Sequence, residues 1–303
     1  MRVVDRAIVR LLPTVPRPVV QRLSARYIAG PTLDDARRTI AGLNAEGKMA
    51  TVDVLGEEVT RPANAEAIAS SYHAALDAIA GDHLDANVSV KLTALGLEID
   101  LELCRSLLAT VVADAAARGI FVRIDMEDSS CTDDTLLLYR ELREARRDNV
   151  GVVLQSCLRR SLADVDALTD LRPSVRLCKG IYVEPSSIAY QGRDQIRENF
   201  VHVLDALLEA GCHTAVATHD EWLLERALER VAETSRDEYE LQMLLGVREE
   251  RASQLVAEGH PLRVYVPYGE KWYEYSLRRL QENPALAGML AKATVLRAVP
   301  GRN

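Results

Sequence analysis

Lysine is scarce in this sequence: only five of the 37 basic residues are lysine (48, 91, 179, 271 and 292), so the position of each one matters. Paired cysteines are missing as well. The five cysteines (104, 131, 157, 178 and 212) form no CxxC, which argues against structural zinc and suits reduced thiols in a cytoplasmic protein. No apolar run approaches the roughly 20 residues of a spanning helix, and the first residues lack the apolar core of a secretory signal. A net charge of −8 speaks against nucleic acid as the main partner. The six histidines include no HxH or HExxH, so no metal is expected. Neither GxGxxG nor GxxxxGKS/T occurs after any strand-like run.

Eight short β-rich runs are present, with helical patterns between them. They are 49–56, 87–95, 120–127, 150–156, 174–180, 213–219, 239–245 and 262–269, with successive starts 23 to 39 residues apart, about one βα unit each. Without a dinucleotide fingerprint, an open doubly wound sheet is the weaker reading. The expected fold is α/β, a (βα)8 barrel of TIM-like type over 49–303 with an N-terminal helical arm over 1–48. Within the arm, "GPTLDDARRTIAGLNAEGK" carries helix signals: Thr32 as N-cap, acids in the first turn and Gly47 near the end. Residues 1–30 hold six arginines against one acid. Two readings stand for them, a solvated amphipathic helix or a patch for an anionic membrane surface.

Catalytic groups of such barrels sit where strands end at their C-termini. Here these ends repeatedly close on a polar group. Asp53 ends the first run, Lys91 interrupts the second and Asp125 the third. Gln155 ends the fourth, Arg176 and Lys179 close the fifth, Thr218 and His219 end the sixth, Gln242 lies in the seventh and Tyr265 in the eighth. Any one of them could be a structural partner; the set is hard to explain by stability, because buried polar groups cost free energy unless paired. The cations suit an anionic ligand, a phosphate-bearing cofactor together with a carboxylate substrate. In "YGEKWYEYSLRRLQEN" (268–283), Arg278 and Arg279 adjoin on an aromatic-rich helix and can grip one carboxylate, with Tyr275 as an apolar wall. A Schiff-base aldolase using Lys91 or Lys179 and a non-enzymatic binding barrel are the competing readings.

These residues resemble the proline dehydrogenase family. The matching pieces are "DVLGE" (53–57), "SVKLTALG" (89–96), "RIDMED" (123–128), "LQSCLRR" (154–160), "VRLCKGIY" (175–182), "ATHD" (217–220), "YELQMLLG" (239–246), "VYVPYG" (264–269) and "YSLRRLQEN" (275–283), in family order. The length suits the short monofunctional bacterial form, with no aldehyde dehydrogenase or DNA-binding module expected. The resemblance implies FAD and hydride transfer from proline C5 to flavin N5, as the first step of proline catabolism to glutamate. The product is Δ1-pyrroline-5-carboxylate, and electrons pass to a quinone.

The resemblance also implies roles for particular residues. Arg278 and Arg279 hold the proline carboxylate. Lys91 sits over flavin and substrate, oriented by Asp125. Tyr275, Tyr182, Leu244 and Tyr265 wall the pyrrolidine ring, and Arg176 stabilises negative charge near flavin N5. Met126, Gln155, Lys179, Gly180, Ile181, Thr218 and His219 contact FAD. Glu57 pairs with Arg278 as a gate, and Tyr265 favours proline over hydroxyproline. Ile181 and Val183 depart from the alanine and tryptophan of some members, which puts local flavin packing in question. A membrane quinone would give the basic N-terminus a role at the inner face of the cell membrane.

Overall fold

A computed structural model describes residues 26–56, 59–233, 238–273 and 276. The described chain begins with a turn at 26–28 and leads into the helix α1 (Leu33–Ala45). Thr32 caps it: its Oγ1 accepts from Asp35 N, while the Asp35 carboxylate accepts from Thr32 N at 3.0 Å. This reciprocal cap satisfies donors that a helix start leaves open. The described part of the expected arm, 26–48, holds this one helix, and residues 1–25, including five of the six N-terminal arginines, lie outside the described residues.

Eight strands follow, all parallel: β1 (Met49–Val54), β2 (Ala86–Val90), β3 (Val122–Ile124), β4 (Val150–Gln155), β5 (Ser174–Cys178), β6 (His213–Ala217), β7 (Tyr239–Leu244) and β8 (Leu262–Tyr268). They close in sequence order into a barrel, with β1 pairing β8. The helices α2 (Pro62–Gly81), α3 (Leu101–Ala117), α4 (Thr132–Glu144), α5 (Ser161–Leu168), α6 (Arg193–Glu209), α7 (Glu221–Glu233) and α8 (Glu249–Ala257) connect them. All eight strands end before the runs expected from the sequence, β2 and β3 by the most. β2 stops at Val90 because the chain turns at Lys91, whose carbonyl accepts from Leu95 N; β3 stops at Ile124. Lys91 and Asp125 therefore follow their strands rather than interrupting them.

Alternation with period two decides which residues enter the barrel. Val52, Val88, Val90, Val122, Ile124, Val152, Leu177, Val216, Val264 and Val266 are fully or almost fully buried in one apolar core with helix residues such as Tyr72, Leu76, Leu108, Val112, Leu138 and Phe200. Their strand neighbours are polar: Thr51, Asp53, Asn87, Ser89, Arg123, Arg176, Glu240, Gln242 and Arg263. The ladders bring these into register, Thr51 beside Asn87, Asp53 beside Ser89, Ser89 beside Arg123, and Gln242 beside Arg263. This interior departs from the branched apolar layers usual in such barrels.

Its polar groups are tied to one another. Arg123, 1% exposed, donates through Nη1 to the carbonyls of Val152 and Ser174 and through Nη2 to Ser174 Oγ. Burial pushes the Arg123 guanidinium pKa down to about 9. Glu240, which is buried, pairs with the partly buried Arg263 at 3.0 Å.

Gly151, across the ladder from Arg123, leaves the space that the guanidinium fills. An added Cβ would lie 2.5 Å from Arg123 Nη1 and 2.6 Å from the Ser174 carbonyl oxygen, and the latter is backbone that cannot swing aside. Gly151→Ala is expected to destabilise the fold by about 1–3 kcal/mol, as overpacking does. A denaturant midpoint unchanged from wild type would contradict this.

Candidate active site

The C-terminal ends of the strands open into a cavity of about 910 Å³. At its floor is the Asp125 carboxylate. Oδ1 accepts from Ser89 Oγ at 2.7 Å and Arg176 Nη1 at 2.5 Å; Oδ2 accepts from Tyr265 Oη at 2.7 Å. Burial pushes this carboxyl pKa up, but Arg176, Lys91 and the two hydroxyl donors outweigh it and hold the group below its ordinary value. The same burial, with Asp125 and Asp53 nearby, raises the Tyr265 phenol well above its usual value, so it stays protonated and donating. Tyr265 in turn stacks under Arg176, whose guanidinium carbon lies 5.2 Å from the ring centroid.

Lys91 has a different nearest partner from the one expected. Its Nζ donates to Asp53 Oδ1 at 2.6 Å and to Tyr265 Oη at 3.3 Å, with Asp125 Oδ2 at 3.9 Å. Asp53, fully buried on β1, is thus the main anchor of Lys91, and Asp125 is the main anchor of Arg176. Register explains this, because Asp53 pairs across the ladder with Ser89, two residues before Lys91. An ion-paired lysine of this kind is the opposite of the desolvated amine that a Schiff-base mechanism needs.

Opposite this cluster, Arg176 Nε donates to Gln242 Oε1 at 2.5 Å, while its Nη2 is buried with no hydrogen-bond partner among the described residues. Gln155 is fixed by donation from Nε2 to the Glu127 carbonyl at 2.6 Å. Glu127 itself accepts from Thr93 N and Oγ1, so the loops after β2, β3 and β4 are laced together. His219 Nε2 accepts from Leu244 N at 3.0 Å, which places the ring proton on Nδ1 and binds the loop after β6 to the end of β7.

At the outer rim, Asp220 accepts from Arg197 Nε at 3.0 Å and Nη2 at 2.5 Å and from Lys179 Nζ at 3.2 Å, and its own N–H donates to Thr218 Oγ1. Gly180 has φ +90°, a region that favours glycine, and a Cβ there would meet Cys157 Sγ at 2.3 Å. Of the residues anticipated from sequence, Lys91, Asp125, Met126, Gln155, Arg176, Lys179, Gly180, Ile181, Tyr182, Thr218, His219, Leu244 and Tyr265 all line this one cavity. Ile181 is exposed and Val183 fully so. Glu57, Tyr275, Arg278 and Arg279 lie outside the described residues.

Several lining residues escaped the sequence reading: Arg193, Arg248, Glu221 and Tyr27. Glu221 and Arg248 lie just beyond the "ATHD" and "YELQMLLG" stretches, and Arg193 opens α6, 15 residues after β5. Tyr27 arrives from the segment before the barrel, where nothing local signals a site. In all, five cations (Lys91, Arg176, Lys179, Arg193 and Arg248) face three carboxylates (Asp125, Asp220 and Glu221) around the cavity of an acidic protein. Such a mouth accepts an anionic ligand.

Eight parallel strands closed in sequence order, with cations, amides and tyrosines gathered at their C-terminal ends, define a (βα)8 barrel whose cavity lies where enzymes of this fold carry their sites. The family model described as proline dehydrogenase matches residues 36–292, and the chain belongs to that family, flavin-dependent oxidoreductases of proline catabolism. It is 38% identical over 274 residues to Proline dehydrogenase 1 of Bacillus subtilis subsp. natto, covering 89% of this chain and 90% of that one. To the Proline dehydrogenase of Deinococcus radiodurans it is 35% identical over 282 residues, covering 91% of both. The same barrel occurs in proline utilization A (PutA) from Bdellovibrio bacteriovorus, solved after inactivation by N-propargylglycine. That match has a TM-score of 0.83 at 24% identity and covers 91% of this chain and 36% of the larger one. Among the described residues, no helix is long and apolar enough to cross a membrane.

Asp220 gives the rim a pH signature. Hydrogen bonding from Arg197, aided by Lys179, holds its carboxyl near pKa 2, below the ordinary 3.8. Between those values the unfolded chain takes up a proton that the folded one refuses. Stability from this group is therefore complete above the ordinary value and is lost as pH falls toward about 2. Asp220→Asn should lose less melting temperature than wild type between about pH 4 and pH 2. Parallel acid limbs in the two proteins would refute the assignment.

Proposed function

We propose that this protein oxidises L-proline to Δ1-pyrroline-5-carboxylate with FAD as its two-electron acceptor and a quinone as the onward acceptor. The observation that carries this reading, beside family membership, is the charge cluster under the cavity: Asp125 joined to Arg176 and Tyr265, and Lys91 joined to Asp53. The residues present fit a flavin dinucleotide. Arg176, which carries a buried, unpartnered Nη2, lines the cavity with Gln155, Lys179, Gly180 and Thr218. Gly180 permits close backbone approach, and Lys179 and Arg193 suit phosphate. Met126, Ile181 and His219 complete the cofactor contacts of the proposal. When bound, FAD supplies an acceptor for the hydride leaving C5.

The chain's own residues do the rest. Hydride leaves the carbon beside nitrogen most readily when that amine is neutral, because the nitrogen lone pair forms the C5=N bond. A mouth richer in cations than in carboxylates admits the substrate carboxylate and disfavours the ammonium form. Tyr265, Tyr182 and Leu244 offer walls to the pyrrolidine ring, with Tyr265 fixed by its bond to Asp125. Lys91, held by Asp53, presents a localised cation to the reaction space. Arg176 faces the charge that develops on the acceptor, an electrostatic role that preorganisation makes effective. Carboxylate capture by Arg278 and Arg279, walling by Tyr275 and gating by Glu57 belong to the same proposal and concern residues outside the described set.

The test is anaerobic titration of the purified yellow holoenzyme, followed by the flavin spectrum. L-Proline should bleach it fully, and trans-4-hydroxy-L-proline should do so with a lower kcat/KM in steady state. A colourless protein, or a flavin that proline leaves oxidised, would overturn the reading.

A further inference from the structure

The loop between β5 and α6 (179–192) supplies four consecutive residues of the cavity lining: Lys179, Gly180, Ile181 and Tyr182. Both of its ends are fastened to the turn after β4. At the near end, Ser156 N donates to the Cys178 carbonyl and Cys157 N to the Lys179 carbonyl, each at 2.8 Å. At the far end, Arg159 N donates to the Ile188 carbonyl at 2.9 Å and Tyr190 N to the Cys157 carbonyl at 2.8 Å, with Ala189 buried against Cys157 and Leu158. The Arg159 guanidinium reinforces this end: its Nε donates to the Ser186 carbonyl at 3.1 Å, and its carbon lies 4.5 Å from the Tyr190 ring centroid.

Residues 181–184 lie between these anchors. Ile181 and Val183 are exposed, whereas Tyr182 and Glu184 are partly buried. The Glu184 carboxylate crosses to a third loop: Oε1 accepts from Ser129 N and Oε2 from Ser129 Oγ, both at 2.7 Å. Ser129 opens the 3-10 turn (Ser129–Cys131) that leads into α4, so its N–H is a donor that a helix start leaves open. Two short bonds to one carboxylate are charge-assisted and fix its direction. Gln191 Nε2 donates to the Glu184 carbonyl at 3.1 Å, which ties the backbone behind the carboxylate as well. The clamp joins the β5–α6 loop to the β3–α4 loop, which supplies Asp125 and Met126 to the same lining. The far half of the β5–α6 loop is already held by backbone bonds and the Arg159 stack. What the carboxylate adds therefore falls on the residues before it, the part that lines the cavity.

We propose that Glu184 is a positioning residue: by gripping Ser129 it holds Ile181 and Tyr182 at the cavity wall, where the functional reading places FAD and the substrate ring. The inference rests on that reading. Glu184 is not among the described residues that line the cavity, so it acts through these two. At the other end of the stretch, Gly180 has φ +90° and packs against Cys157 and Gln155, so the wall is pinned on both sides. Fixing the wall before a ligand arrives lowers the ordering cost of binding.

The test compares wild-type holoenzyme with Glu184→Ala, Glu184→Gln and Ser129→Ala. Flavin release after dilution is followed by the returning fluorescence of free FAD, and KM and kcat for L-proline are measured at saturating FAD with a dye acceptor. Glu184→Ala should speed flavin release by about tenfold, the weight of a charge-assisted hydrogen bond. It should also raise the proline KM, with kcat held within about twofold. Glu184→Gln should recover most of both losses, since the amide oxygen can accept from Ser129 N and the amide nitrogen can donate to Ser129 Oγ. Ser129→Ala should fall between wild type and Glu184→Ala, and combining the two should add nothing to Glu184→Ala, because they share one interaction. Flavin release and KM at wild-type values in Glu184→Ala would overturn the proposal, as would a Glu184→Gln protein no better than Glu184→Ala. A wild-type protein that carries no flavin would instead defeat the functional reading on which this rests.

Discussion

One buried carboxylate organises the mouth of this barrel. Asp125 is surrounded by an arginine, two hydroxyls and, slightly farther away, a lysine, and that company keeps it ionised despite burial. The dependence is mutual. Without the carboxylate, Arg176 would be a buried cation with only Gln242 and Ser89 as hydrogen-bond partners, a costly state. Tyr265 would lose the acceptor that aims its ring. A second carboxylate, Asp53, does the same for Lys91. Two acids thus hold two cations in place before any ligand arrives, and this rigidity is what an electrostatic site needs.

The cluster is continuous with the rest of the interior. From Arg176 the contacts run through Gln242 to Glu240 and on to Arg263, which reaches the Ala50 carbonyl on β1. Arg123 fills the next space with Gly151 as its clearance. The barrel therefore places much of its charge inside and relies on the helix–strand interface for its apolar core. Such an interior tolerates few substitutions, because a half-satisfied polar network is worse than an apolar one.

Much of this was legible in the sequence, for identifiable reasons. Apolar runs at βα spacing betray buried parallel strands, and polar residues at their ends betray the mouth, which is how Lys91, Asp125, Gln155 and Arg176 were singled out. Thr32 and Asp35 mark their helix start locally. Partnerships set by register were not legible: that Lys91 leans on Asp53 rather than Asp125 depends on how β1 and β2 align. Nor was Tyr27, whose place follows from a close approach between Arg26 and Gly246, 220 residues away along the chain. Strand ends were overestimated at Lys91 and Asp125 because apolar residues continue into turns.

The central claim is that the charge of Asp125, and not merely its shape, holds the site ready. Asp125→Asn keeps the outline and removes the charge. The most direct measurement is the stopped-flow rate of flavin reduction by saturating L-proline in that variant, loaded with flavin to the wild-type level. The account predicts a fall of about 100-fold, the order of loss that a small misplacement of catalytic groups produces. A reduction rate within a few-fold of wild type would contradict it.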